Sequence, residues 1–186
     1  SYIPTYGSVR TRLQDNVKGA GTVTDFNDSE GVLFIEINGT QVYDSSRYIS
    51  ISSGGTSNRV TVGYVANSST ISVFVSSGGA TQGNMAFAVN IADNHKIAVK
   101  YKLNDFALWI DGTEVATDIS GVTPSSLSQL AYGNGSPNSD NFFGKTSQIQ
   151  VFNTALSDHE LELLTTDNVD YASYATMASF LNYNIS

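Results

Sequence analysis

From residue 31 to about 152 the chain runs in short apolar stretches, separated roughly every ten residues by Gly, Asn and Ser. Within each stretch apolar and polar positions alternate, and a period of two is the signature of an antiparallel sandwich or barrel. The stretches cover 32–37, 48–52, 59–65, 70–75, 85–91, 96–102, 106–111 and 148–152. Between them stand Asn38-Gly39, Ser53-Gly54-Gly55, Asn67-Ser68-Ser69, Ser77-Gly78-Gly79, Asn104-Asp105 and Asp111-Gly112, each able to supply the positive φ of a tight turn. A meander of hairpins is the economical reading. After Asn153 the period changes. Ser157-Asp158-His159-Glu160 is a capping box, and Leu156, Leu161, Leu163 and Leu164 follow at helical spacing, which predicts a helix over 157–165. A second helical stretch over 171–181 precedes Asn182-Tyr183-Asn184-Ile185, which suits a last edge strand. Apolar residues are sparse before residue 31, so the chain divides into an arm or edge strand (1–30), a sandwich (31–165) and a C-terminal helix with a possible edge strand (166–186).

The stretch 96–111 has the clearest faces. With Asn104-Asp105 as a two-residue turn, paired positions sum to 209, so Lys100 opposes Trp109 and Lys102 opposes Ala107. Ile97, Val99, Tyr101, Phe106, Leu108 and Ile110 form an apolar face. Ala98, Lys100, Lys102, Ala107, Trp109 and Asp111 form the other. The lone tryptophan thus lies beside two lysines and an aspartate, where a flat indole suits the C–H face of a sugar and the charged neighbours suit its hydroxyls. The same indole also suits packing under a loop or a neighbouring subunit.

Composition narrows the function. The 186 residues carry nine basic and seventeen acidic side chains, a net charge of -8, which argues against nucleic-acid backbones and anionic membrane surfaces as partners. There is no cysteine, so disulfides, thiolate metal sites and thiol nucleophiles are excluded. Only 14% of residues are charged, while Ser, Asn, Thr, Gly and Tyr are plentiful, a composition of extracellular or virion-surface β-proteins. No run approaches the about eighteen apolar residues of a membrane span, and the N-terminus lacks a basic-plus-apolar signal, so a soluble chain is expected. The opening Ser1-Tyr2-Ile3-Pro4, without Met, points to a processed product or an excised piece of something longer.

The stretch from Lys96 to Lys102, then Asn104-Asp105-Phe106-Ala107-Leu108-Trp109-Ile110-Asp111-Gly112 and Glu114-Val115-Ala116-Thr117-Asp118, resembles the concanavalin A-like, laminin-G-like jelly-roll domains of bacteriophage tail fibres, tail spikes and related surface proteins. Phe142-Phe143-Gly144-Lys145, Gln150-Val151-Phe152 and Ala155-Leu156-Ser157-Asp158-His159-Glu160-Leu161 extend the likeness, as does the opening Ser1-Tyr2-Ile3-Pro4-Thr5 with Gly7-Ser8. The resemblance implies an all-β fold, two antiparallel sheets in a jelly roll, one of them curved. It also implies glycan binding on the concave face or rim, and attachment to a larger assembly, often a homotrimer, in a virion tail or on an extracellular surface.

Catalysis is not expected. Laminarinase-type relatives of this fold carry Glu-x-Asp-x-(x)-Glu on one strand, and none of the five glutamates here (Glu30, Glu36, Glu114, Glu160, Glu162) belongs to such a motif. Neither His95 nor His159 has a serine-nucleophile context. Asp25, Asn27, Asp28 and Glu30 cluster hard oxygen donors as a Ca2+ loop does, without EF-hand spacing; the same residues also suit a turn in which Asp and Asn bond their own backbone. The polar loop 132–143, with Tyr132, Asn134, Asn138 and Asp140, is the longest excursion between expected strands. It reads as a glycan-binding rim or a solvated crossover. Tyr64 and Phe74 add aromatic surface, Phe74 out of phase with Val73 and Val75, whereas Arg47 and Arg59 read as surface solubilisers.

Overall fold

The computed structural model describes residues 17, 19–136 and 139–167. Ten strands and one helix follow in order: β1 (Glu30–Asn38), β2 (Arg47–Ser52), β3 (Arg59–Tyr64), β4 (Thr70–Ser77), β5 (Ala80–Ala88), β6 (Asn94–Lys102), β7 (Phe106–Ile110), β8 (Thr113–Asp118), β9 (Gln129–Ala131), β10 (Lys145–Phe152) and α1 (Asp158–Thr165). The strands form two antiparallel five-stranded sheets, ordered β10-β1-β6-β7-β8 and β5-β4-β3-β2-β9, consistent with a jelly-roll sandwich. The expected meander is two shorter ones, β2 to β5 in one sheet and β6 to β8 in the other. β1 sits between β10 and β6, pairings that no local turn signal encodes.

The inward rows of both sheets interdigitate. Leu33, Ile35, Ile37, Val99, Tyr101 and Leu108 of the first meet Ile49, Ile51, Val60, Val62, Val73 and Val75 of the second, all fully buried. A second apolar layer lies on the far side of the first sheet. There Val32, Phe34, Ala98, Ala107 and Trp109 are covered by Leu156 and Leu161 of the α1 segment. This explains why Val32-Leu33-Phe34-Ile35 of β1 departs from the alternation: both of its faces are buried there.

Helix α1 starts where the capping box expects, with Ser157 as N-cap, its hydroxyl accepting from the Glu160 amide while Glu160 accepts from the Ser157 amide. Further contacts hold the helix on the sheet. At its first turn the Lys100 ammonium lies 2.8 Å from Asp105 and 3.5 Å from Asp158. At its last turn the Gly112 amide donates to Thr165 Oγ1 (3.0 Å) and Lys96 Nζ donates to the Thr166 carbonyl (3.1 Å).

The β6–β7 register differs from expectation. Ala98 opposes Trp109 and Lys100 opposes Ala107, because the turn residues are Leu103-Asn104: the Asp105 amide bonds the Lys102 carbonyl (2.9 Å) and Asn104 takes φ 56°. The slip moves each partner by two positions, so every side chain keeps its face. β5 begins earlier than the stretch at 85–91 suggests, and β8 and β9 fall outside the eight apolar stretches. The expected helix at 171–181, the strand at 182–185 and most of the N-terminal arm lie outside the described residues.

Candidate functional site

The expectation of an open indole does not hold. Trp109 is 7% exposed, beneath Leu156 and Leu161, and Lys100, equally buried, is turned to Asp105 and Asp158. Burial pulls the Lys100 amine down, but the bond to Asp105 and the charges of Asp105 and Asp158 outweigh it and raise the amine above its ordinary range. Lys102 is exposed and pairs with Glu30 at 3.2 Å. Asp111 has a structural task at the β7–β8 turn: one oxygen accepts from the Lys96 amide (2.9 Å) and the other faces His95 Nδ1 (2.7 Å). The face chosen from the hairpin pattern is therefore the seat of a helix.

The four hard donors near residue 25 are not gathered about one point. Asp25 accepts from the Thr22 amide and hydroxyl, Asn27 bonds Asn153 and Ser29, Asp28 accepts from the Ser126 and Leu127 amides, and Glu30 turns to Lys102. As arranged, this donor set does not fit a shared cation, and among the described residues no group of three His, Asp or Glu side chains is placed to hold a metal.

Among the described residues, no helix lies on the outer side of the other sheet, β5-β4-β3-β2-β9. Strand phase puts Tyr48, Ser50 and Ser52 of β2, Arg59, Thr61 and Gly63 of β3, Ser72, Phe74 and Ser76 of β4, and Asn84 and Ala86 of β5 on that outer face, opposite to the core row. Registered neighbours run across it as Ser50–Thr61–Phe74–Asn84 and as Tyr48–Gly63–Ser72–Ala86. Gly63 is required there: a Cβ would run into the Arg47 carbonyl. Over this gap the Tyr48 and Phe74 rings meet edge to face, 6.2 Å between centroids, with Phe74 partly exposed.

The polar loop expected as a rim is laid along this same face. Ser50 Oγ donates to the Gly133 carbonyl (2.7 Å) and accepts from the Gly135 amide (2.9 Å), and Ser52 Oγ donates to the Gly135 carbonyl (2.9 Å). Arg59 passes under Gly135, whose Cβ would fall 2.8 Å from the arginine Cδ, and its Nη1 donates to the Asn134 carbonyl at 3.0 Å. Asn134 Nδ2 in turn donates to Asp140 Oδ2 (3.0 Å). Burial lowers the Arg59 guanidinium's affinity for its proton, against the opposing charges of Tyr48 and Asp140. Tyr132 packs edge to face on Phe142 at 5.9 Å and serves the core, and Asn138 lies outside the described residues.

Of the residues singled out from sequence, Asn134 and Asp140 are thus brought together, Phe74 and Arg59 join them on the same face, and the structure adds Tyr48 and the buried Thr61. The phase of Phe74 against Val73 and Val75 was the signal that could have found the face. Reading Arg59 as a surface solubiliser is corrected by its half-buried position beneath the loop, and Arg47 by its own: 1% exposed, it lies among the rings of Tyr43, Tyr64 and Phe143. Several buried polar atoms here have no protein partner among the described residues: Arg59 Nε, Thr61 Oγ1, Asn134 Oδ1 and Asn141 Oδ1. Such concentrations mark places where a fold accepts a stability cost, and these are often functional. A groove of about 570 Å3 opens elsewhere, at the seam between β9 and β10, lined mainly by Phe26, Leu130, Ile149, Val151 and Phe152. Its one carboxylate, Asp25, is engaged by Thr22, so its polar groups do not converge.

Fold and face together define a two-sheet lectin-like sandwich with one helix-covered outer side and one whose β2–β3 part is largely buried, with Phe74 partly exposed and Asn84 and Ala86 exposed towards β5. A family model described as the concanavalin A-like lectin/glucanases superfamily, Laminin_G_3, matches residues 25–162, and the chain belongs to that family. No curated protein matches it. Among solved structures it is similar to the Ruminococcus gnavus IT-sialidase CBM40, at 18% identity and TM-score 0.63, covering 83% of this chain and 99% of that one. The same module has been solved bound to alpha2,3 sialyllactose. The leech intramolecular trans-sialidase aligns at 16% identity and TM-score 0.61 over 85% of this chain and 27% of its own. The SAP-like pentraxin of Limulus polyphemus aligns at 12% identity and TM-score 0.57, over 75% and 70% respectively. At these identities the likeness establishes the fold.

Proposed function

We propose that this protein is a non-catalytic carbohydrate-binding domain and that it binds saccharide on the outer face of the β5-β4-β3-β2-β9 sheet. The observation that carries the reading is the partly exposed Phe74 ring, braced edge to face by the buried Tyr48 and bordered by Asn84, Arg59 and the loop-borne Asn134 and Asp140. A partly exposed ring gives a sugar an apolar platform, and the amide and guanidinium groups around it suit hydroxyl recognition. The printed ligand of the CBM40 neighbour, sialyllactose, supports a glycan as the class of partner. The absence of a Glu-x-Asp-x-(x)-Glu strand motif supports binding without hydrolysis.

For context we favour a tail fibre or related surface appendage of a phage, with further subunits, a homotrimer among them, as partners. This rests on the sequence resemblance given above. The test is a glycan array followed by calorimetry. Saccharide binding that Phe74→Ala removes, in a protein of unchanged circular dichroism, is the expected result. Binding to no saccharide, or binding indifferent to Phe74 and Tyr48, overturns the reading and favours a structural module that positions other parts of an assembly.

A further inference from the structure

The distribution of charge over the two sheets is uneven. Of the chain's seventeen acidic residues none lies on β2, β3, β4, β5 or β9, whereas β1 and β8 carry Glu30, Glu36, Glu114 and Asp118. The sheet β5-β4-β3-β2-β9 also has no lysine. Its bases are Arg47, turned to the core side among three rings, and Arg59, on the outer face. A protein of net charge -8 thus keeps the strands of one face clear of carboxylates and places one guanidinium there.

Among the described residues that guanidinium is poorly compensated. It is half-buried, and burial works against its charge. Among the described residues no carboxylate lies within ion-pairing distance of it; its one protein hydrogen bond is Nη1 to a neutral carbonyl, and Nε is buried without a partner. Asp140, the acid whose field it feels, is exposed and engaged by Asn134. Arginine is the side chain whose planar fork matches a carboxylate with two parallel bonds. Desolvating a cation without a counter-charge costs stability, and an incoming anion recovers it.

We propose that the saccharide bound on this face carries a carboxylate and that Arg59 is the residue that selects it. This rests on the outer-face reading above and names the ligand class. Phe74 then holds the apolar side of the sugar ring while the carboxylate lies towards Arg59. Asp140 opposes the anion and limits its affinity.

The test titrates the whole chain with matched pairs: sialyllactose against lactose, uronate disaccharides against neutral counterparts reduced at the carboxyl, and sulfated disaccharides as a third arm. The acid-bearing sugar of at least one carboxylate pair is expected to bind on the order of tenfold tighter than its neutral match, with the preference falling as salt rises. Arg59→Met abolishes the preference, Arg59→Lys keeps part of it, and Asp140→Asn strengthens acidic-sugar binding severalfold. Asparagine tolerates the positive φ of 48° found at that position, so this last variant keeps the test decisive if Arg59→Met unfolds. Neutral members bound as tightly as acidic ones, a preference that survives Arg59→Met, or selection of sulfate over carboxylate each overturns the proposal. If neutral sugars bind and Phe74→Ala abolishes it, the outer-face reading stands while the carboxylate falls. If no saccharide binds, both fall.

Discussion

Arg59 Nη1 donates to the carbonyl of Asn134 across 3.0 Å, and this bond fastens the loop after β9 to β3 over the outer face of the sheet. The approach is close because residue 135 is glycine, at φ 77° with the Gly55 carbonyl 2.6 Å and Arg59 Cδ 2.8 Å from where a Cβ would stand. Gly135→Ala has neither the conformation nor the room. It is expected to lower stability by about 1–3 kcal/mol in urea denaturation and to weaken saccharide binding by displacing Arg59. Unchanged midpoint and affinity would show that the loop is not held as described.

Trp109 gives an internal reporter on the opposite side of the molecule. Lying under Leu156 and Leu161, it is expected to resist acrylamide quenching in the native protein. Leu161→Ala should cost about 2–5 kcal/mol and open the indole to the quencher. Trp109→Phe should leave saccharide affinity unchanged, because α1 stands between the indole and solvent. A Trp109 variant that folds normally and loses binding would reinstate the helix-covered face as the site.

The Lys100 triad makes a pH prediction whose sign follows from its raised amine. Because the folded amine titrates above its ordinary value of 10.5, the contribution to stability is complete below that value and disappears as pH rises through the higher folded one. Denaturation measured from pH 7 to 11 should show this contribution constant until the alkaline end. Lys100→Met should flatten the alkaline loss and slightly loosen α1, since Asp105 and Asp158 are both substantially exposed and tolerate losing their partner. A Lys100-dependent loss of stability near neutrality would contradict the assignment.

Much of the fold was legible because alternation and turn chemistry are local. The eight apolar stretches fall on strands β1 to β7 and β10, and Ser157 with Glu160 marks the start of α1. β8 escaped notice because its side chains are exposed or only half-buried, and β9 because three residues show no period. The partition of strands between sheets depends on long-range pairing, such as β1 with β6 and β10, which no short motif carries. The site misled for a related reason. On the β6–β7 hairpin the two faces were correctly separated, but alternation says only that Trp109 faces away from the core. It does not say that a helix nearly fifty residues later folds back over it. On the other sheet, the outward phase of Phe74 and the absence of acids from β2 to β5 were visible all along. What no local pattern carries is that Phe74 and Asn84 keep exposed surface there and that Arg59 and the loop bearing Asn134 and Asp140 converge on the same face.

Ser50 is the sharpest test of how that loop is held. It is fully buried, and its hydroxyl both donates to the Gly133 carbonyl and accepts from the Gly135 amide, so a single side chain satisfies two backbone groups of the loop. Removing one partner of a buried hydrogen bond costs more than the bond itself contributed, because the other partner is left desolvated and unpaired. Ser50→Ala is expected to cost about 2–4 kcal/mol, and Ser147→Ala, at an exposed position of β10, less than about 0.5 kcal/mol. With the loop released, the Asn134 carbonyl no longer fixes Arg59, so saccharide affinity should fall together with stability even where the protein is fully folded. Chemical denaturation and calorimetry on the two variants decide the matter: a Ser50→Ala protein that binds as tightly as the parent would mean that loop 133–141 plays no part in recognition.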